Sequence, residues 1–162
     1  MNRYRDHLGR PSETELLARF IWNEAREERL QGKLAVAHVV MNRVKTREYY
    51  GNSIQDVILK SKDLMRLSGS NTITPHAPNC PSNDREFALC QAIAELATRG
   101  HLKDDPTGGA THFHRVNQKP AWASKLIFQR QIGSHVFYRD PLMRCIQDHS
   151  LKPQTLTMGR EP

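Results

Sequence analysis

The stretch that decides the fold reads LLARFIWNEAREE and covers residues 16–28. Spacings of three and four residues place five of its side chains on one helix face: Leu17, Phe20, Ile21, Glu24 and Glu28. A mainly apolar face packs against a core or a cleft floor, and burial should raise the pKa of the Glu24 carboxyl. A carboxylic acid that stays protonated near neutral pH can donate a proton to a leaving oxygen. A buried ion pair with an arginine, or a cap on a neighbouring helix, would also account for Glu24.

Composition predicts one domain with a basic surface. The chain has 162 residues, which is long enough for one substantial core. Lys and Arg outnumber Asp and Glu by 24 to 17, giving a formal charge of +7. This balance favours an anionic partner such as nucleic acid, anionic lipid or an anionic wall polymer.

The sequence also indicates the compartment in which the chain is made. No apolar run approaches the roughly 18 residues of a membrane-spanning helix, so we expect no transmembrane segment. The first residues lead into no hydrophobic region, so we expect synthesis in the cytoplasm without a secretion signal. Three cysteines without a CxxC pair argue against a disulfide framework and suit a reducing compartment.

The sequence predicts helices first and a small sheet afterwards, an α+β domain. Capping boxes begin at Ser12 and Asn83, and Gln31-Gly32 and Gly100 are typical of helix ends. The predicted helices cover residues 12–30, 33–45, 54–60 and 83–99, and the predicted strands cover 110–116 and 135–139. The sequence of residues 61–82 predicts a long loop that is functional or partly mobile. We therefore predict an N-terminal arm (1–11), a single catalytic domain (12–140) and a C-terminal extension (141–162).

Three further groups of residues have a possible role in a site. His112 and His114 would project from one face of a strand, and with His135 they could bind zinc, although paired histidines are more typical of polar cleft lining. Trp122 could stack on a sugar or pack in the core. Asn42 and Arg43 interrupt a buried helix end, where they either cap and pack it or orient Glu24 or a sugar amide.

Four motifs in order resemble the SleB-type cell wall hydrolases, the group that contains the spore-cortex-lytic enzymes. Residues 17–28, LARFIWNEAREE, are similar to the family signature LAR-x-(I/V)-(Y/W)-x-E-A-R-G-E. Residues 32–44, 105–114 and 131–138 resemble the family's buried helix, its DPTGGA turn with the following strand, and its closing strand. Two features depart from the pattern: Glu27 replaces a glycine, which predicts a longer first helix, and residues 60–81 do not match.

The resemblance implies a lysozyme-like fold related to resuscitation-promoting factors, mostly helical with a small antiparallel sheet. It also implies cleavage of the β-1,4 bond between N-acetylmuramic acid and N-acetylglucosamine, with Glu24 as the catalytic glutamate. The outcome in the family is typically lytic transglycosylation, which needs one carboxylate. Ordinary hydrolysis usually needs two, and Glu28 would then be the second, although a structural or pKa-tuning role fits it better.

The sequence thus predicts a monomeric peptidoglycan-cleaving enzyme that uses no cofactor and no metal. We expect Glu24 to be its general acid/base, and a larger set to contact or support the glycan strand: Glu28, Asn42, Arg43, Thr111, His112, His114 and Trp122. Charge, size and the absence of a signal indicate a phage endolysin that reaches the wall once the membrane is opened, although a bacterial wall-remodelling enzyme whose export signal has been removed would look similar. The alternatives are a muramidase, a zinc amidase that uses His112, His114 and His135, and a basic nucleic-acid-binding module.

Overall fold

A computed structural model describes residues 11–46, 49–60 and 84–143 of the chain. Its elements are the helices α1 (Glu13–Ala25), α2 (Leu30–Lys45), α3 (Ile54–Lys60) and α4 (Arg85–Thr98), a short 3₁₀ helix (Ala121–Lys125), and the strands β1 (His112–Arg115), β2 (Ile127–Ile132) and β3 (His135–Arg139). The expectation of a mostly helical domain with a small antiparallel sheet is confirmed. The 61–82 loop and nearly all of the predicted arm and of the C-terminal extension lie outside the described residues.

The helices enclose the core that the sequence predicts. Leu17, Phe20 and Ile21 on α1 are fully buried, and so is most of the apolar run of α2. The predicted inward residues of α4, among them Phe87 and Cys90, are also buried. Ser12 caps α1 by accepting a hydrogen bond from the Glu15 amide. No helix among the described residues is both long enough and apolar enough to cross a bilayer.

The first helix is shorter than predicted, and the expectation that Glu27 lengthens it is wrong. α1 ends at Ala25, and the proposed stop at Gln31-Gly32 lies inside α2. The reason is tertiary: the buried ammonium of Lys33 donates hydrogen bonds to the carbonyl oxygens of Arg26 and Glu28. These bonds satisfy two of the carbonyl groups that lack an intrahelical partner where the helix ends.

The fourth helix begins slightly later than its predicted capping box. Its N-cap is Asp84, whose side chain accepts from the Glu86 amide at 2.8 Å. Asn83, the predicted cap, lies outside the described residues. Gly100 follows the helix with a φ of 72°, a conformation that glycine adopts freely, so the predicted stop is confirmed.

The sheet has one strand that the sequence analysis missed. Strand order is β1-β3-β2, all antiparallel, so β2 is an edge strand paired with β3. A register shift between Phe128 and Arg130 interrupts the alternation of β2, and most of its residues are exposed or half-buried. A bulged, polar edge strand lacks the period-two pattern on which strand prediction depends. The β3 prediction is confirmed at both ends, and β1 is shorter than predicted.

Candidate active site

Glu24 lies in the last turn of α1 with its side chain turned inward. The residue is only 2 % exposed. Its backbone oxygen accepts a 3.5 Å hydrogen bond from Nη2 of Arg115, the last residue of β1. The end of the first helix is therefore attached to the end of the first strand, and the carboxyl group sits at their junction.

A polar cleft of about 250 Å³ opens at this junction. Its lining comes from the end of α1, the loop that follows, the end of β1 and the β2–β3 turn: Asn23, Glu24, Arg26, Glu27, Glu28, Arg115 and Ser134. Glu27 is 81 % exposed and stands at the rim. The cleft thus places a deeply buried carboxyl group next to open, charged surface.

Glu28 is bound to the β2–β3 turn. Its Oε1 accepts hydrogen bonds from the hydroxyl and, at 3.2 Å, from the backbone amide of Ser134. Nδ1 of His135 lies 3.5 Å from the same oxygen. Two glycines leave room for this carboxylate, because a Cβ at Gly32 or Gly133 would clash with the Glu28 side chain. Glu28 therefore joins the α1–α2 loop to the sheet, and we call these contacts the Glu28 clamp.

Burial makes His135 a neutral member of this clamp. Loss of hydration lowers the pKa of His135 to about 4, although the Glu28 carboxylate acts in the opposite direction. Arg115 and His114 contribute further to the lowering. At neutral pH the ring is therefore uncharged, and its contact with Glu28 is a polar contact rather than an ion pair.

The buried side chain of Lys33 holds the loop between α1 and α2 in place. The residue is 1 % exposed, and its ammonium donates to the Arg26 carbonyl at 2.9 Å and to the Glu28 carbonyl. Glu86 on α4 pairs with it at 2.8 Å. A buried charge is tolerated only when it is well paired, and this one holds the loop that lines the cleft.

Asn42 and Thr111 line a different pocket, of about 270 Å³, beside the C-terminal end of α2. Asn42 donates to Asp105 and to the Ala110 carbonyl, at 2.9 and 3.0 Å. Arg43 donates to the Thr111 carbonyl at 2.5 Å. These bonds attach the DPTGGA turn to α2. The three residues are therefore grouped with one another, at the other end of α2 from the Glu28 clamp.

His112, His114 and Trp122 form an aromatic cluster with Tyr138. The Trp122 ring lies 5.4, 5.7 and 5.6 Å from the rings of His112, His114 and Tyr138. Nδ1 of His114 donates to the Arg115 carbonyl, and its Nε2 is hydrogen-bonded to the Tyr138 hydroxyl at 3.1 Å. Burial, together with the charge of Arg43, lowers the pKa of His112 to about 4. Trp122 is half-buried, so part of its ring is accessible.

The zinc site proposed from His112, His114 and His135 does not form. His112 and His114 pair with Tyr138 and Val136 and share one face of the sheet. His135 pairs with Arg115, so it projects from the opposite face. Among the described residues there is no group of three or more His, Cys, Asp or Glu that could hold a metal ion.

Five residues of the cleft were not predicted as site residues: Asn23, Arg26, Glu27, Arg115 and Ser134. Arg115 ends β1 and Ser134 forms the hairpin turn, and both reach the α1 region only through the fold. Glu28 and Ser134 are 106 residues apart. No local signal links such partners. The alternation of side chains along β1 does, however, place Arg115 on the sheet face opposite His112 and His114.

Comparisons with known proteins agree with this architecture. A cell wall hydrolase family model matches residues 27–138, a range that begins three residues after Glu24. The catalytic domain of the Bacillus cereus SleB protein is 26 % identical, with a TM-score of 0.56, covering 78 % of this chain and 89 % of that one. The catalytic domain of the germination-specific lytic transglycosylase SleB from Bacillus anthracis is 24 % identical, with a TM-score of 0.58, covering 86 % and 99 %.

No curated protein matches the chain significantly. The structural matches confirm the lysozyme-like fold implied by the sequence resemblance, and the family model covers well over half of the chain. The chain therefore belongs to the cell wall hydrolase family and is a SleB-type enzyme that degrades peptidoglycan.

Proposed function

We propose that this peptidoglycan glycosidase is a lytic transglycosylase with Glu24 as its single catalytic residue. The observation that carries the proposal is the buried carboxyl group of Glu24 on the wall of the polar cleft. Burial favours the uncharged form of a carboxyl group, the form that a general acid needs. The solved SleB domain from Bacillus anthracis is described as a lytic transglycosylase, which supports the same reaction here.

In the proposed reaction Glu24 acts twice. Its carboxylic acid first protonates the glycosidic oxygen, and the bond from that oxygen to the anomeric carbon of the muramoyl residue breaks. The resulting carboxylate then accepts the proton of the muramoyl 6-hydroxyl, whose oxygen forms the new bond to the anomeric carbon. The products are a 1,6-anhydromuramoyl end and a free glucosaminyl hydroxyl, and Glu24 regains its proton. The step consumes no water and needs no cofactor.

The Glu28 clamp favours this outcome over hydrolysis. A hydrolase usually employs a second carboxylate as a nucleophile or as a base for water. Of the two other carboxylates that line the cleft, Glu27 is 81 % exposed at the rim, and Oε1 of Glu28 is engaged by Ser134 and lies 3.5 Å from Nδ1 of His135. A carboxylate held in this way is suited to fixing the cleft wall, so we assign Glu28 as a positioning residue.

The aromatic cluster supplies a second proposed contact with the glycan. The accessible part of the Trp122 ring, backed by His112 and His114, offers the kind of apolar surface on which a sugar ring can stack. We propose that it holds the strand outside the catalytic cleft. For Asn42, Arg43 and Thr111 we propose a structural role in place of a contact with the glycan, because their hydrogen bonds attach the DPTGGA turn to α2.

The test is a pair of isosteric substitutions in the same segment, assayed by the clearing of purified sacculi. Glu24→Gln should lower the rate by roughly 10²- to 10⁴-fold, the usual contribution of a general acid, while the circular dichroism spectrum stays unchanged. Glu27→Gln, at the exposed rim, should retain most of the wild-type rate. A rate for Glu24→Gln close to that of the wild type would refute the assignment of Glu24.

The biological setting that we propose is a monomeric phage endolysin, made in the host cytoplasm and acting on the wall once the membrane is opened. The excess of basic residues supports an anionic wall as the partner. Expression in a bacterial host followed by chloroform treatment tests this setting. Lysis only after the membrane is permeabilised is the expected result, and lysis without treatment would contradict it.

A further inference from the structure

Arg115 has an unusual position within the cleft. It ends β1 on the face opposite the aromatic cluster, and its guanidinium extends toward the end of α1. One contact, from Nη2 to the Glu24 backbone oxygen, is 3.5 Å long, at the outer limit of a hydrogen bond. The group therefore lies directly beside the proposed catalytic residue and is held only loosely there.

The Nε–H group of Arg115 is buried and has no hydrogen-bond partner within the described part of the chain. Such donors are rare, because leaving one unsatisfied costs free energy that a partner would recover. Arg115 also lines the open polar cleft, so its guanidinium is within reach of a bound molecule, and a shift of the side chain toward that molecule would give the buried donor an acceptor.

The second guanidinium of the cleft does not have these properties. Arg26 is 54 % exposed and lies over the Trp22 ring, with its Cζ 5.1 Å from the ring centroid. Its Nε is 4.0 Å from the rim residue Glu27. Arg26 is therefore engaged with its own surroundings, while Arg115 presents an unsatisfied donor beside Glu24.

We propose that Arg115 binds an acyl oxygen of the glycan strand and so positions the strand against Glu24. The guanidinium fork matches carbonyl and carboxylate oxygens better than hydroxyl groups. Peptidoglycan offers two sources of such an oxygen, the N-acetyl group of either sugar and the lactyl group that only the muramoyl residue carries. This assignment rests on the proposed function of the same cleft.

The experiment compares Arg115→Met, Arg115→Lys and the control Arg99→Met, at an exposed arginine after α4. Each is assayed on intact glycan strands and on strands whose stem peptides an amidase has removed, which leaves free lactyl carboxylates. Arg115→Met should raise KM roughly tenfold or more, as expected for loss of a charge-assisted hydrogen bond, with a smaller change in kcat. Arg115→Lys keeps the charge but lacks the Nε donor, so its KM should also rise.

Comparison of KM on the two substrates identifies the acyl oxygen that Arg115 binds. A larger rise on the trimmed strands indicates the lactyl carboxylate, and an equal rise on both indicates an N-acetyl carbonyl. A role limited to capping α1 would lower the unfolding temperature of Arg115→Met and leave the KM of Arg115→Lys at the wild-type value, which would overturn the proposal.

Two controls keep the result interpretable. If Arg115→Met fails to fold, Arg115→Lys decides on the same criterion. Failure of the proposed function is distinguishable, because the wild-type enzyme would then release no anhydromuramoyl ends on either substrate, whatever the residue at position 115.

Discussion

The two faces of the small sheet differ in their chemistry, although β1 contributes to both. On the helix side, Arg115 meets the buried end of α1, and the Glu28 clamp and Lys33 hold a charged cleft. On the other side, His112 and His114 pack with Trp122 in a mainly aromatic cluster. Side chains alternate between the two faces of the sheet along the four-residue strand β1, so this strand contributes to the cleft on one face and to the aromatic cluster on the other. The cleft side offers acid–base groups and the other side offers ring surface, so we expect substitutions to affect catalysis on one side and binding on the other.

The largest effect on stability should come from Lys33→Met. The change leaves the carbonyl oxygens of Arg26 and Glu28 without their buried donor, which should cost about 2–4 kcal/mol of unfolding free energy. Urea unfolding measures this value. Lys45→Met, at the exposed end of the same helix, should change it by less than about 0.5 kcal/mol. Similar values for the two variants would show that Lys33 does not hold the loop.

Glu28→Gln tests whether Glu28 only positions the cleft wall or also takes part in the reaction. The amide keeps an acceptor for Ser134 but loses the charge, so we expect about 1–2 kcal/mol of destabilisation. The rate on sacculi, measured well below the unfolding temperature, should stay within roughly tenfold of wild type, because Glu28 does not exchange protons in the proposed reaction. Ser134→Ala should give a loss of similar size. A loss as deep as that of Glu24→Gln would instead identify Glu28 as a second catalytic carboxylate.

Acid should destabilise both faces, because each carries a histidine whose pKa is lowered, His135 on one and His112 on the other. The pKa values of His135 and His112 are lowered to about 4, while an unfolded histidine titrates near 6.5. The unfolded chain therefore binds protons first as the pH falls, and stability is lost between about pH 6.5 and pH 4, by on the order of 2–3 kcal/mol for the well-buried His135. Urea unfolding at pH 7 and pH 4.5 measures the loss. His135→Asn should reduce this pH dependence, and an unaltered dependence would contradict the assignment.

The smallest effect should come from Trp122→Ala on the aromatic side. Loss of a stacking surface costs roughly 1 kcal/mol, so binding to sacculi should weaken about fivefold. Turnover of short soluble fragments that fill only the cleft should be little changed. Leu96→Ala, an exposed apolar residue on α4, serves as the control and should bind as wild type does. If Trp122→Ala also binds as wild type does, the aromatic cluster is not a glycan contact.

The features that depend on local sequence patterns could be predicted. Helical spacing identified the buried face of α1 and placed Glu24 on it, and the capping residue Ser12 defined the start of that helix. The break after Ala25 could not be read from the sequence, because it depends on Lys33 reaching back to two carbonyls. The bulged strand β2 lacked a periodic signal, and Arg115 and Ser134 join the cleft through contacts between distant segments. Local periodicity thus predicts which face is buried, but not which distant residues complete a site.

Digestion in isotopically labelled water shows whether Glu24 directs an intramolecular attack without a second carboxylate. Sacculi are digested in H₂¹⁸O, and the released muropeptides are analysed by mass spectrometry. We expect 1,6-anhydromuramoyl ends that contain no ¹⁸O, because the attacking oxygen belongs to the sugar. Muramoyl reducing ends that carry ¹⁸O as the primary product would show that water is the nucleophile and that the enzyme is a hydrolase.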